Sequence, residues 1–258
     1  TISNAKAVLL DGTTRLKKDG EIIHHHSGVA GFAEYAVLPR EALVKIDNDI
    51  PFEHAALFGC GVVTGVGAVI NTANAREEDS VAIVGLGGVG LSALLASLAV
   101  GSKKTIAIDL SDEKLTLARE LGADHTLNPK DENFLEEMRD LTFGGANIAI
   151  ETAGSGRALE TAYEITRRGG TTVAAGMPGP GVNITLSHLS IAAEERVLKG
   201  SYMGSCIAQR DIPKYLNMFQ TGKLPVDRLL SRKIKFEDLN EAMDRLDDAK
   251  TVREVLIP

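Results

Sequence analysis

The run Val81-Ala82-Ile83-Val84, followed at once by Gly85-Leu86-Gly87-Gly88-Val89-Gly90, constrains this chain more than any other feature. Four consecutive apolar residues fit a strand buried on both faces. The chain must then turn sharply, because residues 91–100 continue as an apolar helix. The glycines have separate physical uses. Gly85 permits the tight turn, Gly87 lets a ligand approach the backbone with no Cβ in the way, and Gly90 lets the helix pack closely on the strand. With Gly88 and Val89 they open a helix whose free N–H groups and positive dipole end suit a pyrophosphate.

Downstream the pattern alternates. Strands are expected at 105–108, 124–127, 147–150, 171–175 and 198–203. Helices are expected at 112–121, closed by Gly122 as a C-cap, at 133–141, and at 158–167, stopped by Gly169-Gly170. Six apolar strands separated by helices predict a parallel sheet covered on both faces, the Rossmann-type doubly wound α/β fold. Asp109 ends the second strand, nineteen residues after Gly90. At that place an acid accepts hydrogen bonds from the adenosine ribose and repels a 2′-phosphate, so NAD is expected rather than NADP. The bland alternatives are a glycine-rich connector without a ligand and a solvated acid at a strand end.

The flanks read differently. A short strand is expected at 5–10, a polar loop at 12–20, and strands at 32–37 and 43–46. Asp47 to Pro51 is a turn, and a helix begins at 53–57. The tail from Arg210 is helical with a last strand at 252–257. His24, His25 and His26 are adjacent, so their side chains point in different directions and seldom share one ion. A surface loop is the expectation there. His54, six residues before Cys60, does not share a helical face with it and reads as structural.

Composition narrows the function classes. A length of 258 residues fits one large domain or two ordinary ones. The net charge of -7 disfavours nucleic acid, whose phosphates an acidic surface repels. Two cysteines, Cys60 and Cys206, make no disulfide framework and suit a reducing cytoplasm. No apolar stretch reaches the ~18 residues of a membrane span.

The order and spacing of several motifs resemble the zinc-containing medium-chain alcohol dehydrogenases. They are Gly59-Cys60-Gly61-Val62-Val63-Thr64-Gly65, the turn at 85–90, residues 109–114, Phe32-Ala33-Glu34-Tyr35, Lys199-Gly200-Ser201-Tyr202-Met203-Gly204 and Thr251-Val252-Arg253. The similarity leans toward the branch of glutathione- or mycothiol-linked formaldehyde dehydrogenases and aryl-alcohol dehydrogenases. It implies that Cys60 is a ligand of catalytic zinc. It also implies that Thr64 lies beside the nicotinamide, Val89 by the pyrophosphate and Lys114 near the adenosine ribose. Ala153, Met177 and Tyr202 would wall the nicotinamide, and Arg253 would bind the pyrophosphate. Each has a plain alternative: a buried small hydrophobe for Cys60, solvated side chains for Lys114 and Arg253.

The resemblance further implies three segments. Residues 1–61 would be the remnant of a GroES-like β-barrel catalytic domain, 62–203 the dinucleotide domain, and 204–258 a return to the catalytic side. The family's other zinc ligands, a Cys and a His of the barrel, have no counterpart here, so a missing N-terminal part is expected. The implied reaction is zinc-assisted hydride transfer between an alcohol or aldehyde and NAD. Two other readings stay open: a truncated NAD-binding protein without turnover, and a zinc-free quinone reductase. The last two strands would pair across a two-fold axis, in a homodimer or homotetramer.

Overall fold

The computed structural model describes residues 6–9, 11–25, 29–247 and 251–257. The first ordered pair is a hairpin of β1 (Leu16–Lys18) and β2 (Glu21–Ile23). A loop was expected there, but Asp19 and Gly20 both take positive φ, 54° and 87°. Asp-Gly with two left-handed residues is a favoured two-residue hairpin turn. Residues 6–9 and the expected strands at 32–37 and 43–46 form no strand. Phe32, Tyr35 and Val37 are exposed. A strand needs a ladder of partners for its backbone groups, and among the described residues no strand pairs with these segments; residues 6–9 have a single such bond to the chain after β2, from the His25 N–H to the Ala7 carbonyl at 2.9 Å. The histidines also depart from expectation. His24 is exposed, but His25 is buried, its Nε2 accepting from the Arg15 N–H at 3.3 Å. His26 lies outside the described residues.

Next come α1 (Phe52–Ala55), which Pro51 precedes, and α2 (Gly61–Gly67), which runs into a π-helical turn at Ala68–Ala73. The alternating core follows: β3 (Ser80–Val84), α3 (Gly88–Val100), β4 (Lys104–Ile108), α4 (Asp112–Leu121), β5 (His125–Leu127), α5 (Phe134–Thr142) and β6 (Ala146–Glu151). It continues with α6 (Gly156–Glu164), β7 (Thr166–Ala174), α7 (His188–Ala193) and β8 (Val197–Gly200). Gly122 closes α4 at φ 112°, as the C-cap reading requires. Helix α6 ends earlier than expected. β7 begins at Thr166 and runs through Gly169-Gly170, with the pairing to β6 shifting register between Ala146 and Ile148. Glycine weakens a strand without ending it, and here Gly169 takes φ 66° at the irregularity.

The six parallel strands lie in the order β5-β4-β3-β6-β7-β8. The chain therefore winds outward one way from β3 and the other way from β6. The β3/β6 junction is the switch point, where a crevice opens beyond the strand ends. Alternation along β3 builds both faces: Val81 and Ile83 pack with Leu91, Leu94 and Leu95 of α3. Ala82 and Val84 join Phe134 and Met138 of α5 on the other face. The chain closes with α8 (Ala208–Gln220), β9 (Leu230–Ile234), α9 (Leu239–Asp247) and β10 (Arg253–Leu256), β10 pairing in parallel with β9. Among the described residues no single helix is long and apolar enough to cross a membrane.

Candidate dinucleotide site

The site is built on the end of β3. Gly85 turns the chain at φ 95°, and Gly87 caps α3 in extended backbone at φ -74°, ψ -174°. No side chain caps this helix and no acid lies in its first turn. Its first N–H groups are thus left for an outside acceptor.

The glycines divide by what surrounds them. A Cβ on Gly90 would strike the Gly85 carbonyl and lie 2.7 Å from Thr152 Oγ1, so helix and strand ends are in contact. A Cβ on Gly85 would lie 2.8 Å from Ala153, placing that residue against the turn. A Cβ on Gly87 would meet nothing within 4 Å. Neither its φ nor any protein neighbour requires glycine at 87. The open space above it is what an approaching phosphate needs, so the turn fits a dinucleotide.

Arg253 reaches this turn from β10. Its guanidinium lies over Gly88 and Gly61; a Cβ on Gly88 would sit 2.6 Å from Nε. Among the described residues, the side chain makes one hydrogen bond, Nη1 donating to the Val252 carbonyl at 3.0 Å, and no ion pair. Burial pushes its pKa down, with the nearby Cys60 sulfur opposing. A partly buried cation without a counterion among the described residues, beside an uncapped helix N-terminus, has the chemistry to receive an anion.

On the β4 side of the turn, Asp109 Oδ2 accepts from the Leu86 N–H at 2.6 Å and Oδ1 from the Ser111 N–H at 2.9 Å. These bonds tie the acid at the end of β4 to the turn. Lys114 Nζ stands 3.9 Å from Asp109. Both line a cavity of about 680 Å³ that also includes Gly85 and Ala153. Sequence reading missed two cations in its wall, Lys130 and Arg157. Their signal was positional, since Lys130 follows the C-terminal end of β5 and Arg157 that of β6, on the side of the sheet where the turn lies.

On the opposite side, α2 packs so closely on α3 that a Cβ on Gly65 would lie 2.7 Å from Ser92 Cβ and strike the Val89 carbonyl. Thr64 is buried in this contact. Its Oγ1 donates to the Cys60 carbonyl at 2.8 Å and meets Met203 Sδ at 3.8 Å. Met177 and Tyr202 are exposed. Met177 is nonetheless tied to the Ala153 loop, since a Cβ on Gly154 would lie 2.7 Å from the Met177 carbonyl oxygen. Beneath both loops sits Glu151, buried, accepting from the Gly154 N–H at 2.6 Å. Its burial raises its pKa, and backbone N–H groups of residues 153–155 and 176 oppose that rise.

Cys60 is exposed, a free thiol at the start of α2, and lines a second cavity of about 1090 Å³ with His25, Arg15 and Phe32. Among the described residues no group of three His, Cys, Asp or Glu side chains could hold a metal ion. A catalytic zinc takes three protein ligands. The described residues therefore do not compose a zinc site by themselves. The His54 ring packs edge-on against Phe219, with centroids 5.4 Å apart.

A six-stranded parallel sheet with a bare, glycine-lined helix N-terminus at its switch point defines a dinucleotide-binding α/β protein. The chain belongs to the zinc-binding dehydrogenase family, whose model matches residues 88–221. It is 32% identical over 264 residues to an S-(hydroxymethyl)glutathione dehydrogenase of Paracoccus denitrificans, covering 99% of this chain and 70% of that protein. Among solved structures it is similar to benzyl alcohol dehydrogenase from Acinetobacter calcoaceticus, with TM-score 0.87 and 31% identity. That match covers 90% of this chain and 64% of the other. A zinc-binding dehydrogenase from Sinorhizobium meliloti 1021, bound to NADP, superposes with TM-score 0.81 at 25% identity, over 91% of this chain and 67% of that one. The chain thus spans about two thirds of the length of these relatives. Zinc and NAD(P) are cofactors of the family.

Proposed function

We propose that this chain serves an NAD-dependent oxidoreductase that moves a hydride between a small alcohol or aldehyde and NAD. The observation that carries this reading is the pairing of Gly87's open face with Arg253's uncompensated guanidinium at the N-terminus of α3. Gly85, Gly87, Gly88, Val89 and Gly90 would present backbone N–H groups to the pyrophosphate, and Arg253 would supply its counter-charge. Asp109 would accept from the ribose hydroxyls, with Lys114 beside it, and its charge favours NAD over NADP. Thr64, Ala153, Met177 and Tyr202 would surround the nicotinamide, which when bound supplies the hydride acceptor. These residues orient the ring and keep water from it.

Cys60 would give one thiolate to zinc when the remaining ligands are supplied from outside the described residues. We assign residues 1–61 and 204–258 to the catalytic side and 62–203 to the dinucleotide side. The alcohol or aldehyde would enter the cavity that Cys60 lines. A cytoplasmic setting, which keeps thiols reduced, suits the free Cys60 and Cys206.

Titration with NADH, read by its fluorescence, tests the reading. The chain should bind NADH saturably. Gly87→Val should melt within a few degrees of the parent, because a Cβ at 87 meets no described atom within 4 Å, yet lose NADH affinity by at least ~30-fold through obstruction of the phosphate. Undiminished NADH binding by Gly87→Val would remove the turn from the site.

A further inference from the structure

Segment Tyr202–Ser205 holds an unusual backbone. Met203, Gly204 and Ser205 take φ of 49°, 65° and 50° in succession, although two of them carry a Cβ. Left-handed conformation is unfavourable for a residue with a Cβ and persists only where the surroundings impose it. Here the surroundings come from the π-helical turn Ala68–Ala73. Thr72 Oγ1 bridges the two ends of the segment, 2.8 Å from Ser201 Oγ and 2.9 Å from Ser205 Oγ. Asn71 Nδ2 donates to the middle, to the Gly204 carbonyl at 3.2 Å. The same Nδ2 also donates toward the Tyr215 hydroxyl at 3.0 Å and Asp211 Oδ2 at 3.3 Å, both on buried residues of α8, so its two hydrogens are shared among three acceptors. The π-turn continues α2, which carries Thr64. One continuous helical stretch therefore carries Thr64 and grips the loop that carries Tyr202.

We infer that Asn71 and Thr72 are positioning residues for the nicotinamide end of the dinucleotide: they hold Tyr202–Ser205 in its left-handed form so that Tyr202 and Thr64 keep a fixed separation. The inference rests on the dinucleotide reading above. Neither residue touches the ligand; each acts through the loop. The adenosine end, at Asp109 and Lys114, shares none of these bonds. The clamp should therefore act on one half of the ligand only.

Thr72→Val keeps the shape of the side chain and removes the bridging hydroxyl. Binding of NADH and of ADP-ribose, which lacks the nicotinamide, is measured for each variant together with the melting temperature. NADH affinity should fall about fivefold to tenfold in Thr72→Val, and ADP-ribose affinity should stay within about twofold. Thr72→Ser should restore NADH binding. Ser205→Ala, at an exposed position that does not threaten folding, should show the same selective loss at smaller size. Equal loss of both ligands, no loss of either, or failure of the serine variant to rescue would overturn the clamp. A parent chain that binds ADP-ribose and NADH shows that the dinucleotide reading stands independently of that outcome. A parent that binds neither overturns that reading, and the clamp with it.

Discussion

Glycine at 87 and glycine at 90 stand three residues apart and are kept for opposite reasons. Position 90 is closed by the Gly85 carbonyl, whereas position 87 opens onto empty space. The first is required by the packing of helix on strand; the second is where the proposed function seats the pyrophosphate. Arg253 belongs with the second. Its charge is partly withdrawn from water with no carboxylate beside it among the described residues, so it costs stability in the free protein. Arg253→Met should raise the stability of the ligand-free chain by about 1 kcal/mol. The same change should weaken NADH binding by about tenfold or more, through loss of a charge-assisted contact to phosphate. Thermal melts with and without NADH measure both effects. A variant that is less stable without ligand would show that the guanidinium serves packing instead.

At the scale of elements, the start of α8 is held by charge. Asp211 is buried and accepts from Arg210 Nε at 2.6 Å and from the Ile207 N–H at 2.7 Å. The Arg210 hydrogen bonds, with the Ile207 amide, hold its pKa down at about 2 against an ordinary 3.8. A carboxylate with a depressed folded-state pKa stabilises the fold above its unfolded value and loses that contribution as pH falls. Stability should therefore drop between about pH 4 and about pH 2, and Asp211→Asn should flatten that drop. Melting temperatures across that range decide the matter. An unchanged slope would exclude Asp211 as its source. The same acid braces Asn71, so the acid-labile end of α8 and the loop beside Thr64 are mechanically one unit.

At the scale of the whole molecule, β8 is left as an open sheet edge, with Val197 and Leu198 exposed. Leu189 of α7 and Val182 are exposed as well. Unpaired strand groups beside apolar side chains favour pairing with another chain. A symmetric dimer through two β8 strands would continue the sheet. Light scattering should give a dimer or tetramer for the parent chain and a monomer for Leu198→Lys, since a charge on the edge opposes pairing. A monomeric parent would rule this assembly out. The exposed Phe32, Tyr35 and Val37 form a separate apolar region at the mouth of the Cys60 cavity.

Much of this architecture was legible before any coordinates. Local patterning determined the six strands, the glycine turn, the acid at the end of β4 and the cap at Gly122, because each depends on residues within one turn or one strand. In the flanks the helix after Pro51 and the last strand were legible, but the strands expected at 32–37 and 43–46 did not form, because alternation makes a strand only where a partner exists, and a period cannot supply one. Pairing across distance was likewise beyond local reasoning. Nothing near position 253 indicates that its guanidinium lies over Gly88, or that Thr72 bridges Ser201 and Ser205. The glycine turn by itself thus determined that a phosphate-bearing ligand could be held. Only the packed tertiary structure decided that the Arg253 guanidinium lies against Gly88 and that Thr72 bridges Ser201 and Ser205, since those contacts exist only once the sheet has closed.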